Sequence, residues 1–253
     1  MKVATWNVNG IRARADQLRD WLSVEAPDVV FLQELKAAPE KLPEALSGQQ
    51  EFWARWHGAA AYSGVGLLLR KAAFPNEPQF FHPAFDFETR IVAAPWEDIV
   101  FASVYVPNGG KDFAAKLDFM RALAAWTAEL RREGRTLLLG GDLNVAREER
   151  DVHPKERKPN QIGTRPEERA LLEQLLDQGL TDVGRKLDPD NDELFTWWAP
   201  WRNLRQRNIG WRIDYLLAGD SIAPRARASA VRREVGTSDH GPVVAWFEDS
   251  GVV

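Results

Sequence analysis

The chain has 253 residues, 44% of them hydrophobic, with 18 Gly, 15 Pro, no Cys and a formal net charge of −4. That composition excludes an extended disordered chain and is long enough to bury a large core. Without cysteine there can be no disulfide, zinc–thiolate site or thiol nucleophile, and the chain suits a reducing cytoplasm.

The N-terminal MKVATWNVNG lacks the apolar stretch and cleavage site of a secretion signal, and no apolar run approaches the roughly 18 residues of a membrane span. The expectation is a cytoplasmic monomer with no membrane partner, folded as a single domain of two similar lobes over residues 1–253.

In chain order, KVATWNV (2–8) reads as a strand and Arg12 to Glu25 as a helix with Leu18, Trp21 and Leu22 on one face. Pro27-Asp28 breaks that helix before a buried strand, VVFLQE (29–34). Further strands are GVGLLLR (64–70), RIVAAP (90–95) and IVFASVYV (99–106), bounded by Gly, Pro and Asn. Asp112 to Arg132 is a long helix. A second cycle follows: strand 136–145, a helix from Pro166 to Gly179, and strands 195–198, 211–218 and 243–247. Strands and long helices in both halves suggest two sheets packed face to face with helices outside.

Apolar strands repeatedly run into amides and carboxylates. Asn7 and Asn9 end the first strand, Glu34 the second, and Tyr105 and Asn108 follow another; Asp142 and Asn144 close TLLLGG. Strand ends on a rigid sheet are where sites assemble, although Asn and Asp are also ordinary turn residues. Asp214 lies within a strand, where an unpaired carboxylate is costly to bury. His240 follows Asp239 just before the last strand, and a buried Asp is suited to orient a neighbouring imidazole. Glu34 and Asp239 offer the hard oxygen ligands that Mg²⁺ uses, alongside waters and phosphate oxygens. No G-x-S-x-G setting and no phosphate-binding P-loop is present. The chemistry that fits is metal-assisted phosphodiester hydrolysis.

Net charge argues against a polyanionic partner, but its distribution leaves room for one. Of 33 Lys and Arg, 17 fall between Arg147 and Arg233, as either ordinary solvated surface or a basic face.

The blocks TWNVNGIR (5–12), LQELK (32–36), YSGVG (62–66), SVYVPNG (103–109), GGDLNVA (140–146), NIGWRIDYLL (208–217) and TSDHGP (237–242) resemble the exonuclease III branch of the endonuclease/exonuclease/phosphatase superfamily. They occur in family order over nearly the whole chain. The resemblance implies a DNase I-like α/β fold: a four-layer sandwich of two mixed β-sheets flanked by helices. It also implies Mg²⁺-dependent cleavage of double-stranded DNA 5′ to an abasic site, leaving a 3′-hydroxyl. Mn²⁺ would substitute for Mg²⁺. Repair of blocked 3′ ends and 3′-to-5′ exonuclease activity are often added.

By position, Glu34 would hold the metal with Asn9 and Asp239 nearby. Asp142 would orient or deprotonate the attacking water; positioning is the favoured role, since a base needs a raised pKa. Asn7, Tyr105 and Asn144 would contact the scissile phosphate, and His240, paired with Asp214, would polarise one of its oxygens. Trp197, Trp211 and Ile213 match an apolar pocket for a flipped-out sugar lacking its base, which a normal nucleotide would not enter. One of Trp197 and Trp198 must face the core, since adjacent strand residues point to opposite sides. Trp201 falls where family members press a side chain into the helix. Arg12, Lys36, Lys111, Arg202, Arg205 and Arg207 would contact phosphates, which positions DNA without reading sequence.

The chain departs from its relatives in three places. Asn9 stands where some have Asp, residues 151–169 lack the usual asparagines apart from Asn160, and PNGGKDF (107–113) is short. Competing readings are a predominantly 3′-exonuclease or 3′-repair enzyme, a lipid or inositol phosphatase, and an inactive homologue that binds nucleic acid or a partner protein.

Overall fold

In each central strand, alternate residues face two different environments, and this period of two dictates the layering. The computed structural model describes residues 1–47, 50–59 and 61–248. From β1 (Lys2–Asn7), Ala4 and Trp6 pack outward on α1 (Ile11–Glu25), whose Ile11, Ala15, Leu18, Trp21 and Leu22 form its buried stripe. Val3 points the other way, into a layer shared by two sheets.

The first sheet has the order β10-β11-β1-β2-β4-β3, formed by β10 (Ala226–Val231), β11 (Val243–Phe247), β1, β2 (Val29–Gln33), β4 (Val65–Arg70) and β3 (Phe52–His57). The second has the order β5-β6-β7-β9-β8, formed by β5 (Ile91–Trp96), β6 (Ile99–Tyr105), β7 (Thr136–Asp142), β9 (Asp214–Gly219) and β8 (Leu180–Asp182). Both sheets are mixed: β1 pairs with β2, and β6 with β7, in parallel, while their other pairings are antiparallel. Val29, Phe31, Leu67 and Leu69 meet Val92, Phe101, Leu138 and Leu216 between the sheets. On the far face of the second sheet, Val100, Ala102, Val104 and Leu139 pack against α3 (Phe113–Arg132) and α4 (Pro166–Leu176). The result is four layers: helix, sheet, sheet, helices.

Along the shared layer the residues change character toward one end. β1 runs Val3, Thr5, Asn7; β2 runs Val29, Phe31, Gln33; β6 runs Phe101, Ser103, Tyr105; β7 runs Leu138, Gly140, Asp142. Antiparallel β9 contributes its first residue, Asp214, which pairs with Asp142 in register. A buried chain of hydrogen bonds, Thr5 to Gln33 (3.2 Å), Gln33 to Ser103 (3.3 Å) and Ser103 to the Leu32 carbonyl (3.0 Å), marks the transition. It satisfies the polar groups that the layer encloses before it opens to solvent.

Sequence patterning located most elements and missed some. Residues 195–198 form no strand; Trp197 makes isolated bridges to Trp211 and His240, and β9 begins at Asp214 rather than 211. Isolated bridges give the aromatic run strand-like pairing without a continuing ladder. The polar or short strands β3, β8 and β10 lacked a clear apolar alternation.

Gly140 has a steric reason to be glycine. A Cβ there would lie 2.0 Å from Phe31 Cδ2 across the sheet interface. Removing glycine's backbone entropy would favour alanine by about 0.4–1 kcal/mol, but overpacking a filled core costs about 1–3 kcal/mol, so the clash decides the sign. Gly140→Ala is expected to destabilise the fold by about 2 kcal/mol in urea denaturation; an unchanged midpoint would show that Phe31 moves freely.

Candidate active site

The polar end of the shared layer becomes a cleft of about 410 Å³, within the range of about 300–1,000 Å³ common for ligand pockets. Its walls include Asn9, Glu34, Lys36, Tyr105, Asn108, Asp142, Asn144, Trp197, Trp211, Ile213, Asp239 and His240. Segments far apart in sequence meet because parallel β1/β2 and β6/β7 end on the same side.

Asn7 ties the two sheets together here. Its Nδ2 donates to Glu34 Oε1 and to Asp142 Oδ2, each at 2.9 Å. Tyr105 donates its hydroxyl to the same Glu34 oxygen at 3.0 Å. Asp142 Oδ1 accepts the Asn144 backbone N–H at 2.9 Å, which shapes the turn after β7. Asn144 in turn donates Nδ2 to the Val106 carbonyl and accepts from Asn108.

Asp214 and His240 touch. His240 Nδ1 lies 2.9 Å from Asp214 Oδ2, and Thr196 donates its hydroxyl to that same oxygen at 2.6 Å. Thr196 Oγ1 also receives the backbone N–H groups of Ile213 and Asp214. Both ring and carboxylate are buried, and His240 Nε2 stands 3.9 Å from Asp142 Oδ2. The carboxylate fixes the ring so that Nε2 faces the cleft.

Charge crowding sets the electrostatics. Burial opposes the charged form of His240, but Asp214, Asp142 and Asp239 outweigh it and push the imidazolium up to about 10. Burial and then the Asp214 charge push Asp142 up to about 8. Burial would raise Glu34, yet the His240 charge and hydrogen bonds from Asn7 and Lys36 hold it below the usual carboxylate range. Burial would likewise raise Asp239; His240, Trp197 and Asn9 lower it instead. Burial and the charges on Glu34 and Asp142 raise Tyr105 well above an ordinary phenol, so it stays a hydroxyl donor.

The residues fit a divalent cation. Glu34 and Asp142 each offer a carboxylate oxygen, and these lie within 4.8 Å of each other and of a nitrogen of the His240 ring, whose imidazolium would face the ion's phosphate ligand rather than the ion. Among the described residues, three carboxyl groups, Glu34, Asp142 and Asp239, line the cleft, with Lys36 and His240 as its cationic side chains. Lys36 Nζ already sits 2.6 Å from both Glu34 Oε2 and Asn9 Oδ1, so these two oxygens hold a positive charge between them. Oxygen-rich donors of this kind suit a hard cation. Asp239 is tied by Trp197 Nε1 (2.9 Å) and Asn9 Nδ2 (2.7 Å).

The backbone here is strained. Asn9, Glu34, Lys36 and Asn144 all have left-handed φ values between 45° and 53°, costing about 1–2 kcal/mol for each ordinary L-residue. The surrounding structure over-determines them: Gly10 N–H donates to Glu34 O, Leu35 N–H to Gly64 O and Lys36 N–H to Ser63 O. Strain held at one site is a common mark of function.

An aromatic recess flanks the charged centre. The Trp197 and Trp211 rings meet edge to face at 6.1 Å and 86°, with Ile213 packed against them. Trp198 is buried in an adjoining cluster with Phe195 and Leu204, against which the half-buried Trp197 also packs. The expected DNA contacts divide into two kinds. Arg12, Lys111, Trp201, Arg202 and Arg207 are exposed, and Trp201, Arg202 and Arg205 line a groove of about 700 Å³ beside the cleft. Arg205, however, spends its donors on the backbone carbonyls of Arg233, Val235, Gly236 and Ser238. It braces the loop that carries Asp239. Lys36 points into the charged centre rather than along an outer DNA track.

Sequence reading overlooked Thr196 and the buried Lys116–Glu168 pair. Lys116 Nζ contacts Glu168 and donates to the Asn144 carbonyl at 2.8 Å, and Glu168 accepts the Gly163 N–H. A signal was present: Lys116, Phe119, Met120 and Leu123 share one face of α3 at helical spacing. Removing one member of a buried pair strands the other charge, at about 3–5 kcal/mol. Lys116→Met is therefore expected to lower stability by that amount in chemical denaturation, whereas a loss below about 1 kcal/mol would mean that Glu168 is readily neutralised or hydrated.

The model of the endonuclease/exonuclease/phosphatase family matches residues 4–240. A zebrafish (Danio rerio) protein described as DNA repair nuclease APEX1 is 34% identical over 98% of this chain and 82% of its own length. An exodeoxyribonuclease of Bacillus subtilis is 29% identical over 96% of this chain and 98% of its own. Among solved structures, a 3′-5′ exonuclease from Neisseria meningitidis superposes with a TM-score of 0.89 at 31% identity, covering 98% of this chain and all of that one. An AP endonuclease from Archaeoglobus fulgidus superposes with a TM-score of 0.86 at 27% identity over the same shares. With the family model spanning nearly the full length, and the fold and strand-end site matching the blocks read from the sequence, the chain belongs to the endonuclease/exonuclease/phosphatase family.

Proposed function

We propose that this DNA-repair nuclease is an Mg²⁺-dependent abasic-site endonuclease, cutting duplex DNA 5′ to the lesion and leaving a 3′-hydroxyl. The observation that carries this reading is the adjacency of two unlike surfaces in one cleft: a carboxylate-rich centre with the Asp214–His240 pair, and an indole-walled recess built by Trp197, Trp211 and Ile213. The recess offers apolar walls to a bare deoxyribose. The Neisseria structures are described as a 3′ phosphatase and a 3′-5′ exonuclease; activity on 3′-blocked ends and from 3′ termini would use this same centre.

Glu34 and Asn9 would hold Mg²⁺, for which Mn²⁺ would substitute, with Asp239 setting the Asn9 amide; the ion would supply Lewis-acid neutralisation of the phosphate charge. Asp142, fixed by Asn7 and Asn144, positions the attacking water. The Asn144 amide contacts the scissile phosphate, and the Asn7 amide and the Tyr105 hydroxyl reach it by exchanging their hydrogen bonds to Asp142 and Glu34 when the substrate enters. The His240 imidazolium donates from Nε2 to a phosphate oxygen as negative charge develops, with Asp214 and Thr196 keeping the ring oriented. Fixed donors of this kind are usually the largest catalytic contribution, and losing one costs about 10²–10³ in turnover. Arg12, Lys111, Arg202 and Arg207 approach the duplex backbone, and Trp201 lies against the helix beside the lesion. The chain acts as a single domain and as a monomer.

An end-labelled duplex with one central abasic analogue tests the reading. A single cut at the lesion is expected in Mg²⁺ and none in EDTA. A ladder eroding from the 3′ end would make exonuclease activity primary, and no cleavage in either would remove the catalytic reading. His240→Ala is expected to lower kcat about 10²–10³-fold with DNA binding retained. Trp211→Ala should reduce abasic incision relative to 3′-end cleavage; an equal effect on both would make Trp211 structural only.

A further inference from the structure

A second cluster of metal-type ligands lies outside the cleft, on the edge formed by β3, β4 and the approach to β5. His57, at the end of β3, His82 and Asp86 each present a ligand atom, all within 4.8 Å of one another. We propose that these three residues form a binding site for a borderline divalent cation such as Zn²⁺, Co²⁺ or Ni²⁺.

Three features pre-organise the cluster. The His82 Nδ1 lies 3.0 Å from the Ile91 carbonyl, which can only accept, so Nδ1 carries the proton and Nε2 keeps a lone pair. Outward hydrogen bonds of this sort orient a histidine ligand and set its tautomer. Asp86 Oδ1 accepts the Arg90 and Ile91 backbone N–H groups at 2.8 and 3.0 Å, and Oδ2 accepts a hydrogen bond from His57 Nε2 at 2.6 Å, whose proton the incoming ion would displace. The two imidazole rings stack at 3.7 Å with a 25° tilt.

The scaffold is rigid as well. Phe81, next to His82, exchanges both backbone hydrogen bonds with Ala93 of β5, and Asp86 N–H closes a turn on Pro83 O. Two imidazoles and one carboxylate form a donor set that Mg²⁺ disfavours and later first-row divalent ions prefer. With three protein ligands, water completes the coordination.

The site also connects to the catalytic cleft. Arg90, whose backbone Asp86 holds, is buried, lies 4.9 Å from the Tyr105 ring and donates to the Tyr62 hydroxyl at 3.0 Å. An ion locking His57, His82 and Asp86 therefore braces the segment that supports Tyr105.

The test is calorimetric titration of the full chain with Zn²⁺ in millimolar Mg²⁺, which keeps the oxygen-rich cleft supplied. One ion per chain is expected in the wild type, with affinity reduced at least about tenfold in His82→Ala and in Asp86→Asn. His82 is exposed, so its variant keeps the fold. Glu34→Gln should retain the Zn²⁺ ion, and Zn²⁺ should raise the Tm of the wild type more than that of His82→Ala. Equal Zn²⁺ affinity in the wild type and His82→Ala, loss of the ion in Glu34→Gln alone, or no binding in Mg²⁺ would each overturn the proposal.

Discussion

The Asn7 amide is the point on which the site depends. It reaches from the first sheet to Glu34, at the end of the neighbouring strand, and across the shared layer to Asp142 of the second sheet. Two carboxylates in a buried setting repel, and a neutral group with two N–H donors can hold both without adding charge. The same residue accepts the Asn9 backbone N–H through Oδ1, and its carbonyl receives the Ser238 hydroxyl. One side chain and its peptide thus position the first, second and last segments of the cleft against β7.

Around that anchor, stability is given up in small amounts to gather negative charge. Left-handed backbone at Asn9, Glu34, Lys36 and Asn144 and the crowding of Asp142 by Asp214 are unfavourable in isolation. The four-layer packing, the Lys116–Glu168 pair and the backbone ladder through residues 33–36 and 63–64 oppose them. A cleft held in this state attracts cations and needs little reorganisation to meet a phosphate.

The recess and the charged centre share residues rather than merely adjoining. Trp197 is a wall of the recess and also donates to Asp239; its backbone bridges Trp211 on one side and His240 on the other. A group that displaced Trp197 would shift Asp239 and the His240 segment with it, so the recess and the charged centre are mechanically linked. The Arg212–Asp151–Asp182–Arg185 network behind Trp211 and Ile213 limits how far that wall yields.

Much of this was legible in the chain. Strands running into Asn7, Glu34, Tyr105 and Asp142 announced a polar strand-end site, and Asp214 inside a strand an added carboxylate, because period-two alternation and the change from apolar to polar residues are local properties. The ordered motif blocks identified the family, and the adjacent Trp197-Trp198 required one core and one outward ring. What tertiary structure alone decided were the pairings. That Arg205 braces a loop, that Lys36 sits between Glu34 and Asn9, that Thr196 serves Asp214, and that His57, His82 and Asp86 converge all depend on contacts between segments distant in sequence. Residue type and spacing specify which face of a strand a side chain occupies; only the packing of two sheets specifies what it meets there.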